Sequence, residues 1–139
     1  MTNVDLGALG ALAEGARVVA LGEAAHHVAE LHGLRDQVFR MLVERHGFTA
    51  LVLESGFAEG LALDAWVAGG PGEAAEVAEV ARDTISYGFG NAVEVHRQLT
   101  WMREHGGLRV YGMDVSGGST SPGPAVRALL ARLAPEPGD

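Results

Sequence analysis

The segment Gly22-Glu23-Ala24-Ala25-His26 sets a carboxylate three residues before an imidazole. At that spacing the acid can orient the ring or raise its basicity, which makes His26 a candidate general base with Glu23 as its support. His27 follows directly and competes for the same role. Two more acids close apolar runs: Glu54 after Ala50-Leu51-Val52-Leu53, and Asp114 after Val110-Tyr111-Gly112-Met113. For Glu23 or Asp114 taken singly, a helix-terminus partner or a turn cap is as good a reading as a functional one. Glu54 directly follows a wholly apolar run and precedes Ser55-Gly56, so its carboxylate is expected to be partly desolvated and to need a partner.

Arg35 supplies a candidate partner. On a wheel turned by about 100° per residue it falls among Leu31, Val38, Phe39 and Leu42, near the middle of the apolar arc of its helix. An arginine in that place is either paired with an acid or snorkels from the edge of the stripe, and the acids expected at the neighbouring sheet edge favour pairing. Of the other histidines, His32, His46, His96 and His105 are expected on helix surfaces or near helix ends. No G-x-S-x-G elbow, phosphate-binding loop or H-E-x-x-H zinc helix occurs in the chain. Ser55 lacks the glycine spacing of a nucleophile elbow.

These side chains need elements to hold them. Leu6, Leu9 and Leu12 mark a short helix within Val4–Ala13, and Arg17–Leu21 reads as a strand buried on both faces. Leu31, Leu34, Val38, Met41 and Leu42 predict a helix over 28–46, closed by Gly47. Thr49–Leu53 repeats the buried-strand pattern, giving a βαβ unit with parallel strands. Further helices are predicted around Leu61–Val67, over Glu73–Arg82, along Ala92, Val95, Leu99 and Met102, and from Val126 to Leu133. Gly69-Gly70-Pro71-Gly72 punctuates the chain, and Thr84–Gly90, with Tyr87 and Phe89 between glycines, reads as a loop. Leu108–Met113 is the third predicted strand. Residues 117–124 read as a flexible Gly/Ser/Pro loop, and 135–139 as a disordered tail. The fold class is therefore α/β, a parallel sheet of at least three strands with flanking helices. Each strand ends in an acid at the carboxyl edge, where open parallel sheets bind ligands.

The bulk composition agrees with one domain, since 139 residues lie within the roughly 100 to 200 of a single core. Hydrophobic residues at 47% and charged residues at 20% describe an ordinary globular chain. Ten Lys and Arg against eighteen Asp and Glu give a net charge of −8, and the arginines are scattered, which excludes a nucleic-acid stripe. The absence of cysteine excludes disulfides, thiolate zinc sites and Cys nucleophiles. No apolar run approaches the roughly 20 residues of a membrane span, and a cytoplasmic location is expected. The abundance of Gly, Ala, Arg and Val suits a GC-rich bacterial coding sequence.

Ordered blocks across the chain also carry a resemblance. LGEAAHH after a strand, Arg35 in the next helix, HGFTALVLESG, WMREHGG and VYGMDV together resemble the erythromycin esterase family, from about Ala16 to Leu133. The resemblance implies hydrolysis of a macrolide lactone ester without a cofactor. It also implies that His26 acts as general base on water, that Glu23 is functionally important, and that Arg35 and Glu54 belong to the cleft. Asp114 matches the acid of the family's strand-end block, and His27, Tyr87, Phe89 and Asp114 are the expected substrate-binding residues. Family members are much longer, and a further active-site histidine lies in a region with no counterpart before residue 139. The chain is thus expected to be a single α/β domain or the N-terminal fragment of a larger one, with a missing C-terminal half or a homo-oligomer covering its apolar surface.

Two alternatives stand beside the metal-independent esterase. One is a metal-dependent hydrolase, with His26, Glu23, Glu54 and Asp114 offering nitrogen and oxygen ligands to a divalent ion. The other is a catalytically silent domain that binds a small molecule or partner through Tyr87, Phe89 and Trp101.

Overall fold

A computed structural model describes residues 4–69, 76–115 and 123–133. The chain opens with α1 (Leu6–Leu12), whose start is fixed by Asp5: its side chain accepts the N–H groups of Gly7 and Ala8 at 2.9 and 3.0 Å. The long predicted helix forms as α2 (Ala29–His46). Gly47 ends it with φ of 70°, a left-handed conformation that glycine adopts without a Cβ penalty, and Phe48 N–H returns to the Leu42 carbonyl at 3.2 Å.

Strand β1 (Ala50–Gly56) follows and runs straight into α3 (Phe57–Val67). Next come α4 (Val77–Thr84), a kinked 3₁₀ segment (Ser86–Asn91), α5 (Val93–His105), β2 (Arg109–Asp114) and α6 (Gly123–Leu133). β1 and β2 pair in parallel, with Ala50 opposite Arg109 and Leu53 opposite Gly112, and the register shifts between Leu53 and Gly56. Parallel pairing requires a long crossover, which α3, α4 and α5 supply. Val110, Leu63, Trp66, Val67, Val95, Leu99 and Met102 are buried together with Phe39 and Phe89, and this is the main core. A smaller core of Ala13, Val38, Met41 and Leu42 lies where α1 meets α2.

The sheet among the described residues has two strands, not three. Arg17–Leu21, expected as the first strand, pairs with neither β1 nor β2, and Val18 is 81% exposed. Only Val19 of this run packs inward, against the small core. An apolar run signals burial but does not name the edge that must satisfy its backbone, and here no edge accepts it. The parallel βαβ pair accordingly joins the second and third predicted strands.

The predicted 84–90 loop contains the 3₁₀ segment instead. Of the helix predicted from Glu73, residues 73–75 lie outside the described residues, as do Gly70-Pro71-Gly72 and the 135–139 tail. Most of the predicted 117–124 loop does too; its last two residues open α6. On the sheet's outer face Val52, Tyr111 and Met113 are exposed.

Candidate active site

Residues 22–28 lead into α2 as an exposed turn, and the ring of Phe89 from the 3₁₀ segment lies beneath it. His27 stacks on Phe89 with centroids 4.9 Å apart, while His26 and His32 meet the same ring edge-on at 5.3 and 5.7 Å. Tyr87 meets it edge-on at 6.5 Å. His27 and Tyr87 both have φ of 59°, and they are the non-glycine residues with positive φ among the described ones. Backbone held in that region costs of order 1–3 kcal/mol and needs its surroundings to enforce it. Here both strained residues are clamped against one buried phenyl ring.

Above that ring, His26 Nδ1 lies 3.4 Å from Glu23 Oε1, with the histidine side chain 63% exposed. A carboxylate there favours the tautomer with the proton on Nδ1 and leaves Nε2 as the acceptor. The structure thus brings Glu23 and His26 together, and His27, stacked on Phe89, meets the His26 ring edge-on at 6.4 Å.

Arg35 is half-buried between α2 and α5, as its wheel position required, but its partner is not an acid. Its Nη2 donates to Gln98 Oε1 at 3.3 Å, and its Nε is buried without a partner. Burial pushes the Arg35 guanidinium below its usual range, opposed by the charges of Glu23 and Asp36. Of the acids expected at the sheet edge, neither Glu54 nor Asp114 pairs with it, and Glu23 acts on it through its charge without an ion pair. Glu54 lies inside β1 on the exposed face, so it is neither desolvated nor paired with Arg35. Strand alternation explains this: Leu51, Leu53 and Ser55 turn inward, and Val52 and Glu54 turn outward.

Asp114 ends β2 and accepts the Tyr87 hydroxyl at 2.7 Å and the Val115 N–H at 2.7 Å. The Tyr87 bond, then that of Val115, holds the Asp114 carboxyl below the usual carboxylate range, and the same Tyr87–Asp114 bond raises the tyrosine. Glu54 adds to the upward push on Tyr87, so these three form an acidic rim next to Phe89. Trp101 does not join them. It packs against Phe39 and His105, with the Arg40 guanidinium 4.6 Å over its ring.

Sequence reasoning missed His32 and Gln98. His32 is buried where a surface position was expected, and burial, reinforced by the Arg35 charge, pushes its imidazole below its ordinary range. The signal was there: residues 32, 35 and 39 share one stripe of α2 by i, i+3, i+7 spacing. Gln98 has Val95, Leu99 and Met102 as buried neighbours on α5. Among the described residues no three His, Asp or Glu side chains converge as metal ligands. Of two shallow hollows, one is lined by Trp101, named in the silent-domain reading, and the other lies beside Trp66; neither contains Glu23, His26, His27, Arg35, Glu54, Tyr87, Phe89 or Asp114. No described helix is long and apolar enough to cross a membrane.

The family model described as erythromycin esterase matches residues 43–138, well over half of the chain. The chain belongs to the erythromycin esterase family. It is 37% identical over 103 residues to erythromycin esterase type I of Escherichia coli, an alignment covering 73% of this chain and 25% of that relative. To erythromycin esterase type II of Escherichia coli it is 35% identical over 89 residues, covering 64% of this chain and 20% of the relative. The chain therefore spans about a quarter of the length of the curated relatives it matches. No solved structure matches it. The family match takes in Glu54, Tyr87, Phe89, Gln98 and Asp114, and begins after Glu23, His26 and Arg35.

Proposed function

We propose that this chain carries an ester-hydrolysing site in which His26 activates water. The Glu23–His26 contact of 3.4 Å is the observation that supports it, because it leaves Nε2 available to the solvent side. In this reading Nε2 takes a proton from water, and the water oxygen adds to the ester carbonyl carbon while the carbonyl π pair moves onto oxygen. Arg35 steadies that oxyanion. Collapse then breaks the bond to the alkoxy oxygen, and the proton held on His26 passes to the leaving group. Glu23 orients the imidazole and offsets its charge when protonated. Tyr87, Phe89, His27 and Asp114 offer a ring face and a polar rim for the substrate, with Glu54 beside them. The relatives' names favour a macrolide lactone as the ester, whose opening would inactivate the antibiotic.

The test is hydrolysis of a macrolide lactone by the 139-residue chain, followed by product mass, for wild type and His26→Ala. Loss of a general base is expected to slow turnover by roughly 10² to 10⁴-fold; equal rates in the two proteins would refute the reading. Retention of the rate after exhaustive chelation distinguishes it from a metal-dependent hydrolase. The openness of the site favours a second reading, a silent domain that binds a small molecule over Phe89. That reading predicts binding without turnover, and any His26-dependent hydrolysis rules it out.

A further inference from the structure

A buried cation normally takes a carboxylate, because leaving its charge uncompensated in a low-dielectric place is costly. Arg35 is an exception. Among the described residues no carboxylate lies within ion-pairing distance of it, and its hydrogen-bonded partner is the neutral amide of Gln98, which is 1% exposed. The Gln98 Nε2, the Arg35 Nε and the His32 Nε2 are buried with no partner of their own. Two of these three are obligate donors, and His32 can become one by tautomer choice. A cluster of buried donors around a cation on which the nearest acids, Glu23 and Asp36, act through their charge without an ion pair suits an oxygen that gains negative charge. A carboxylate at position 98 would have made the stronger bond to Arg35 and cancelled the charge.

We propose that Gln98 is a positioning residue, holding the Arg35 guanidinium in place without neutralising it so that Arg35 presents its charge to an oxyanion. This deepens the esterase reading and rests on it for the reaction, but the electrostatic claim can be read without turnover. Gln98→Glu keeps the acceptor and the shape while cancelling the charge; Gln98→Met keeps the shape and removes the acceptor.

The experiment uses the full chain and methylphosphonate as a tetrahedral oxyanion probe, followed by the Arg35 Nε–H NMR signal, with thermal melting as the control for folding. Wild type is expected to bind the probe and Gln98→Glu to bind it at least about tenfold more weakly, a difference of about 1.4 kcal/mol, while melting no lower than wild type. Gln98→Met is expected to weaken binding several-fold and decides the matter if the Glu variant does not fold. On an ester substrate both variants are expected to lower kcat with KM little changed, as befits an interaction made in the transition state. Unchanged probe affinity in either folded variant, or no Arg35 response in wild type, overturns the proposal. Probe binding that follows position 98 in a protein with no His26-dependent turnover would instead refute the esterase reading alone.

Discussion

Ser55 sits beside the proposed site as a hydroxyl, and its surroundings say what it does. Its Oγ donates to the Thr84 carbonyl at 2.8 Å and accepts the Ser86 N–H at 3.0 Å, all buried. With both roles taken it is a tie between β1 and the turn that delivers Tyr87 and Phe89, not a nucleophile. Ser55→Ala is expected to cost about 1–3 kcal/mol, the usual penalty for a buried donor left without an acceptor, measured by urea denaturation. At Asp114 the prediction concerns charge. Removing the hydroxyl in Tyr87→Phe should let the Asp114 carboxyl rise toward its usual range, which carboxyl-carbon NMR titration would detect. No movement would mean the Val115 N–H alone sets it. Single residues were legible from sequence only as far as their own periodicity: the wheel placed Arg35 inside, yet nothing local could tell that Gln98, sixty-three positions away, would face it.

The elements repeat that lesson. α2 and α5 carry apolar stripes long enough to fix both helix and buried face, and β1 and β2 carry compact apolar runs. Arg17–Leu21 carries an equally apolar run and forms no strand, because pairing is a property of two segments and periodicity belongs to one. Close backbone contacts between elements are equally invisible to periodicity. Gly60 of α3 lies against Gly112 of β2, where a Cβ on Gly60 would come within 2.4 Å of the Gly112 nitrogen. A Cβ on Gly112 would come within 2.2 Å of the Gly56 carbonyl oxygen. Backbone cannot yield as a side-chain tip can, so Gly112→Ala is expected to destabilise by about 1–3 kcal/mol or more. A chemical-denaturation midpoint equal to wild type would show that the Ser55–Gly56 end of β1 can shift away from β2.

For the molecule as a whole, Asp64 on α3 is the charge that stability depends on most visibly. It is buried, accepts Arg109 Nε at 2.8 Å and Val110 N–H at 3.0 Å, and the Arg109 bond above all holds its carboxyl below the usual range. A folded value below the unfolded one gives stability that is complete above the ordinary carboxylate range and is lost as pH falls through the folded value. Acid titration of the folded state should therefore show a stability loss beginning near pH 4 that Asp64→Asn flattens, while the variant is less stable by roughly 2 kcal/mol at neutral pH. The same carboxylate also decides how the sheet can be extended. Arg109 N–H points toward β1, where it meets the Thr49 carbonyl at 2.9 Å. Successive N–H groups along a strand point to opposite sides, so Val110 N–H points to the far edge, where Asp64 takes it and Gly60 crowds Gly112. Among the described residues α3 covers that edge, and no backbone hydrogen bond from another element meets the outer edge of β1. Through these described elements only one seam is open, so association by strand pairing is expected to end at a couple instead of growing into a fibre, which sedimentation of the chain would check.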